Sequence, residues 1–170
     1  RLVVHGKIFL IFAVILIAFG GMVYLSRLDQ LNIFEIKITG NKVADASEIE
    51  KIIQEEISGK YLWIFPKTNV FLYPKDAIKE KLADKFKVFK VVNLSIAENK
   101  MLKVDVFERE GLYTWCGTDI DPSANNKCYF LDENGFIFGE APFFSGEVYF
   151  KFYAPVENAA DPIGSSILSG

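Results

Sequence analysis

Hydrophobic residues follow three successive patterns along the chain. The first is an unbroken run, Ile8–Leu25, eighteen residues without a charged side chain. As a helix it would span roughly 27 Å, close to the hydrocarbon thickness of a bilayer. It lacks the polar stripe of a buried core helix. It also ends in Met22-Val23-Tyr24-Leu25-Ser26-Arg27, bulky where a signal peptidase needs small side chains. The run predicts an uncleaved transmembrane helix over 8–26, with 1–7 as a truncated cytoplasmic tail and 27–33 as a linker. Arg1 and Lys7 precede the run and Arg27 follows it, a small bias toward a cytoplasmic N-terminus and an extracytoplasmic remainder.

The second pattern mixes periods of two and of about four. Phe34-Glu35-Ile36-Lys37-Ile38-Thr39 alternates like a half-buried strand, and Gly40-Asn41 ends it in a turn. A helix then starts near Asp45 or Ser47, each offering a capping box, with Glu48 and Glu50 respectively. Ile49, Ile52, Ile53 and Ile57 share one face of it, and Gly59 is placed to stop it. Tyr61–Phe71 reads as an apolar, proline-containing loop that packs back on the domain. Tyr73-Pro74-Lys75-Asp76 opens a second helix with Ile78, Leu82 and Phe86 as its buried stripe. Val88–Ile96 and Met101–Glu108 should pair as a hairpin about Ala97-Glu98-Asn99-Lys100. The order is β-α-α-β-β.

From Leu112 onward the pattern is of strands alone. Leu112–Cys116 and Lys127–Leu131 flank a polar loop, Gly117–Asn126, and Asp132-Glu133-Asn134-Gly135 turns into Phe136-Ile137-Phe138. Glu147–Tyr153 alternates, predicting Val148, Phe150 and Phe152 buried and Tyr149, Lys151 and Tyr153 presented. After Ala154 the chain loosens without a closing element. The expected architecture is α+β: the transmembrane helix, a β-α-α-β-β domain over 34–111, and a β-rich, incomplete domain over 112–170.

Composition narrows the function. Removing Arg1 and Lys7 leaves 17 of the 19 basic residues against all 22 acidic ones, a formal net charge of −5 beyond Ser26. An acidic domain is poorly suited to nucleic acid, whose affinity rests on neutralising phosphates. The single histidine, His5, precedes the span, so a Ser-His-Asp or Cys-His arrangement has no base in the larger part. Cys116 and Cys128 without histidine do not make a zinc site, and no glycine-rich phosphate loop occurs. No catalytic residue, metal or cofactor is therefore expected. The two cysteines sit on neighbouring predicted strands on either side of the polar loop. They are candidates for a disulfide in an oxidising compartment, or for two reduced thiols in apolar strands.

The ordered motifs resemble a known family. A single span precedes Phe34-Glu35-Ile36-Lys37-Ile38-Thr39-Gly40-Asn41. Two helices and a hairpin ending Val104-Asp105-Val106-Phe107-Glu108-Arg109 follow, then Tyr113-Thr114-Trp115 and Tyr129-Phe130-Leu131-Asp132-Glu133-Asn134-Gly135-Phe136-Ile137-Phe138. In this order the chain resembles the bacterial cell-division FtsQ/DivIB family. The resemblance implies a polypeptide-transport-associated (POTRA) domain over 34–111 followed by the family's β-domain. It further implies no enzymatic activity, and partners among the small bitopic division proteins FtsB and FtsL and the septal peptidoglycan synthase. Phe86-Lys87-Val88 departs from the family's frequent Pro-x-Val, and Glu110-Gly111 from its frequent proline.

The leading expectation is a scaffold of the division machinery in the cytoplasmic membrane. The alternatives are a POTRA-bearing component of protein transport or secretion, and a membrane-tethered envelope enzyme. As a scaffold the chain would work by lending a strand edge to a partner. Glu147–Tyr153 is the candidate edge, with Val148, Tyr149, Phe150, Lys151 and Tyr153 as the contact residues, unless further strands cover it.

Overall fold

The structure is a computed structural model, and it describes residues 2–98, 100–118, 127–144 and 148–167. Helix α1 (Leu2–Ser26) contains the 18-residue stretch Phe9–Ser26, with mean hydropathy 2.5 and almost none of it covered by protein. Length and composition make it long and apolar enough to cross a membrane. Its C-terminal end is tied down by side chains. The Ser26 carbonyl accepts from Asn32 Nδ2 (3.2 Å) and from Asn69 Nδ2 (3.1 Å). Asn32 also donates to Leu28 O at 2.7 Å and accepts from Thr68 Oγ1 at 2.7 Å. These bonds satisfy carbonyls that a helix end otherwise leaves unpaired.

A short 3-10 turn, Asp29–Leu31, leads to β1 (Glu35–Thr39), α2 (Ala46–Ile57) and two short strands, β2 (Lys60–Tyr61) and β3 (Phe65–Pro66). Helix α3 (Lys75–Lys85) and strands β4 (Phe89–Ala97) and β5 (Met101–Glu108) come next. Helix α2 buries Ile49, Ile52, Ile53 and Ile57, the four residues of its apolar stripe, and packs against β1. Its start at Ala46 puts Asp45 at the N-cap position with Glu48 in the first turn. Helix α3 buries Ile78 and Leu82 but ends before Phe86, whose half-buried ring lies 4.9 Å from that of Phe89. The sheet order is β1-β5-β4, with β1 parallel to β5 from Glu35↔Met101 to Thr39↔Asp105.

The expected loop over 61–71 is a correction. Strands β2 and β3 pair antiparallel, Lys60 opposite Pro66 and Tyr61 opposite Phe65. The tip does not pack back: Leu62 is 81% exposed and Trp63 91%.

A second sheet has the order β8-β7-β6-β9, from β6 (Tyr113–Trp115), β7 (Tyr129–Leu131), β8 (Ile137–Glu140) and β9 (Lys151–Phe152). Strands β6, β7 and β8 pair antiparallel, with an irregularity between Phe130 and Leu131, while β9 joins β6 in parallel. One face buries Trp115, Leu131 and Ile137 beneath Tyr129, Phe152, Val156 and Ile167. A separate aromatic group collects around Phe130, whose ring is 6.0 Å from Phe138 and 5.5 Å from Tyr149. The segment after Ala154, expected to be loose, returns to this sheet. Gly164 N donates to Ile137 O (2.8 Å), Ile137 N to Ser165 O (2.9 Å) and Ile167 N to Gly135 O (3.0 Å).

The chain divides into two compact units. One comprises residues 1–39, 46–80 and 93–105, and the other 40–45, 81–92 and 106–170. They interleave along the sequence.

Candidate interaction edges and loop clamps

Strand β9 is an edge, since only β6 pairs with it among the described residues. Phe150 O and Phe152 O accept from Thr114 N and Cys116 N, each at 3.0 Å. Lys151, between them, therefore turns its N–H and C=O to the open side. The candidate residues differ from the expected alternation. Val148 and Phe150 are exposed, at 63% and 68%, rather than buried. Tyr149 is half-buried, its ring 5.0 Å from Phe144 and 5.5 Å from Phe130. Tyr153 is half-buried as well, and Lys151 is exposed as expected. The cause is the length of the ladder. Only Lys151 and Phe152 pair with β6, so Phe150 shares the face of Phe152, 5.0 Å from its ring, but lies past the residues that would cover it. Glu147 lies outside the described residues.

Strands β1, β4 and β8 are likewise outermost in their sheets. Among the described residues, β1 has β5 on one side only, and the sequence reading does not single it out as a binding surface. Beside it lies a cleft of about 310 Å³ lined by Ile33, Phe34, Ile36, Glu50, Gln54 and Ile57. Alternation alone identifies β1 as a strand, whereas its edge position depends on β5 pairing between β1 and β4.

The motifs that carry the family resemblance have structural work. Glu108 is a clamp: its carboxylate accepts from Lys42 N (2.9 Å), Val43 N (3.0 Å) and Ala44 N (3.1 Å). Asn41 Nδ2 closes the same loop on Ala44 O at 3.0 Å. The neighbouring Arg109 is paired with Asp132, which is fully buried, and also donates from Nε to Lys87 O at 3.2 Å. Its guanidinium lies 4.2 Å from the Phe136 ring centroid. Asp132 Oδ1 accepts from Asn134 N (2.9 Å) and Phe136 N (3.0 Å), which shapes the turn. Thus Gly-Asn, Glu-Arg and Leu-Asp-x-x-Gly are parts of two loop-pinning devices.

Three of the resolved pKa shifts have the direction of ion pairing. The Lys103 ammonium and the Thr39 hydroxyl hold the Asp105 carboxyl below its ordinary value. Lys90 does the same for Glu133, and Glu140 raises Lys127. Burial raises Tyr73. Among the described residues, no three His, Cys, Asp or Glu side chains converge to hold a metal ion.

Cys116 and Cys128 are joined by a disulfide, with Cα atoms 4.2 Å apart, continuing the β6–β7 pairing by one residue. Intact mass after denaturing alkylation should show no modified thiol without reductant and two after reduction. On the loop-closure model the bond contributes roughly 3 kcal/mol, so a Cys116→Ser/Cys128→Ser protein should unfold correspondingly more easily. Two alkylated thiols in the unreduced protein would show the bond to be absent.

No protein-family model matches the chain, and no curated protein matches its sequence.

Proposed function

We propose that the chain is a non-enzymatic, membrane-anchored scaffold of the bacterial division machinery, of the FtsQ/DivIB kind, with a POTRA domain over 34–111 and a β-domain after it. Helix α1 spans the cytoplasmic membrane with its N-terminus inside. The extracytoplasmic part offers a strand edge to bitopic FtsB- and FtsL-like partners and, through them, acts on the septal peptidoglycan synthase. The observation that carries this reading is the union of an apolar span with a folded part tied to its end by Asn32 and Asn69. The sheet order β1-β5-β4, with two helices between β1 and β4, supports the POTRA assignment.

The contact is proposed at β9, where Lys151 presents main-chain groups unpaired among the described residues, beside exposed Val148 and Phe150. Lys151→Pro should weaken partner binding by about tenfold, the value of one main-chain hydrogen bond, without changing the fold. A C-terminal alkaline phosphatase fusion should be active, and depletion should give filamentous cells with the protein otherwise found at septa. Normal division with defective protein export would replace this reading by the transport one. Unchanged binding by a folded Lys151→Pro protein would remove β9 as the contact and leave β1 to be tested by Lys37→Pro.

A further inference from the structure

The β2–β3 hairpin lies alongside the apolar helix rather than beyond its end. Phe65, in β3, meets Phe19 of α1 edge-on, with ring centroids 6.1 Å apart. Phe19 precedes Ser26, the end of the apolar stretch, by seven residues. That is roughly 10 Å of helix at 1.5 Å per residue. A second tie fixes the height of the hairpin: Arg27 Nε and Nη2 donate to Ile64 O at 3.4 and 3.3 Å. The hairpin is thus held from the helix end down to a ring two turns inside the apolar stretch.

Its tip is built to present side chains outward. Leu62 and Trp63 have φ of 47° and 65°, a left-handed pair usually left to Asn and Gly in such turns. Ile64 N closes the turn on Tyr61 O at 3.0 Å, and Lys67 N bonds to Gly59 O at 3.1 Å. Instead of small polar residues, the tip carries leucine and tryptophan, 81% and 91% exposed. Phe71, 79% exposed, adds to the same unit, where Val70 N bonds to Leu31 O just after the helix. Lys67 stands 5.7 Å from the Tyr61 ring, at the base of the hairpin. Tryptophan and tyrosine with lysine nearby are the side chains that settle at the boundary between headgroups and acyl chains.

We propose that the β2–β3 hairpin is a membrane-interface wedge, with Leu62, Trp63 and Phe71 entering the outer-leaflet lipid beside α1. This rests on α1 being a membrane span, because only then does the Phe19–Phe65 contact lie within a bilayer. The occupant is lipid, and the wedge fixes how the root of the folded part stands on the bilayer, giving the anchor a second point of support.

The test uses the full chain in vesicles of phosphatidylethanolamine and phosphatidylglycerol containing lipid brominated on its acyl chains. Trp63 and Trp115 are the two tryptophans, so the difference between wild type and Trp63→Phe isolates Trp63. Its emission should be quenched by about twofold by the brominated lipid and little by aqueous iodide. Quenching by iodide and not by lipid would overturn the wedge. Protection from both would also overturn it, and would assign the tip to a protein contact. Vesicle flotation after carbonate washing is read on the same samples. Loss of the chain from the floating fraction removes the anchor reading itself, whereas retention with iodide-quenched Trp63 removes the wedge alone. A Leu62→Ser/Trp63→Ser protein, changed only at exposed positions, should keep the wild-type unfolding midpoint and still float.

Discussion

Replacing Arg109 by alanine is expected to cost roughly 3–5 kcal/mol of folding stability, the usual consequence of removing one partner from a buried charge pair. Asp132 is fully buried and Arg109 only slightly exposed, so solvent cannot take the place of the guanidinium. The remaining contacts of Asp132, the N–H groups of Asn134 and Phe136, are hydrogen bonds without a countercharge. The arginine also contributes its bond to Lys87 O and its place over the Phe136 ring. Lysine could supply the charge but neither the fork nor the planar stacking, so Arg109→Lys should fall between wild type and Arg109→Ala. Thermal and urea unfolding of the full chain in detergent would measure these differences. In a double-mutant cycle with Asp132→Ala, the pair should lose much less than the sum of the single losses. A loss under about 1 kcal/mol for Arg109→Ala would place the pair among surface ion pairs and refute the buried clamp.

The division between what the sequence discloses and what it hides follows the range of the interactions. Helix α2 was legible because Ile49, Ile52, Ile53 and Ile57 repeat at helical spacing and are the very residues it buries. Strand β5 was legible for the same reason, with Leu102, Val104 and Val106 alternating inward. The hairpin over 60–66 was hidden because its turn carries Leu62 and Trp63, bulky residues that no turn rule places at positive φ. The alternation of Glu147–Tyr153 misled because period two sets which residues share a face but not how far the cover extends. Phe152 packs over Trp115 and its neighbours, whereas Phe150 on the same side lies beyond them. The roles of Glu108 and Arg109 were equally out of reach, since each joins positions 22 to 66 residues apart in the chain. Such pairings are set by topology, which local periodicity does not encode.

Gly40→Ala should be nearly as damaging as the loss of Arg109, and Gly59→Ala serves as its internal control. Both glycines adopt positive φ, +87° and +85°, so alanine at either meets the same backbone penalty, about 1–2 kcal/mol. Only Gly40 is also crowded. A Cβ there would lie 2.1 Å from the Val106 carbonyl oxygen and 3.2 Å from its carbonyl carbon, whereas one at Gly59 would meet nothing within 4 Å. The obstacle is main chain in the middle of β5, so relief requires moving a paired strand rather than turning a side chain. Such a displacement adds about 1–3 kcal/mol. It would also pull the loop after Gly40 away from Glu108, whose carboxylate needs the N–H groups of Lys42, Val43 and Ala44 in place. The expected ordering is a total of about 2–5 kcal/mol for Gly40→Ala against about 1–2 for Gly59→Ala. Equal losses at the two positions would mean that φ alone sets the requirement and that Val106 can yield. A larger loss at Gly40, partly recovered on removing the Glu108 clamp, would show that strand and loop are held in one strained arrangement.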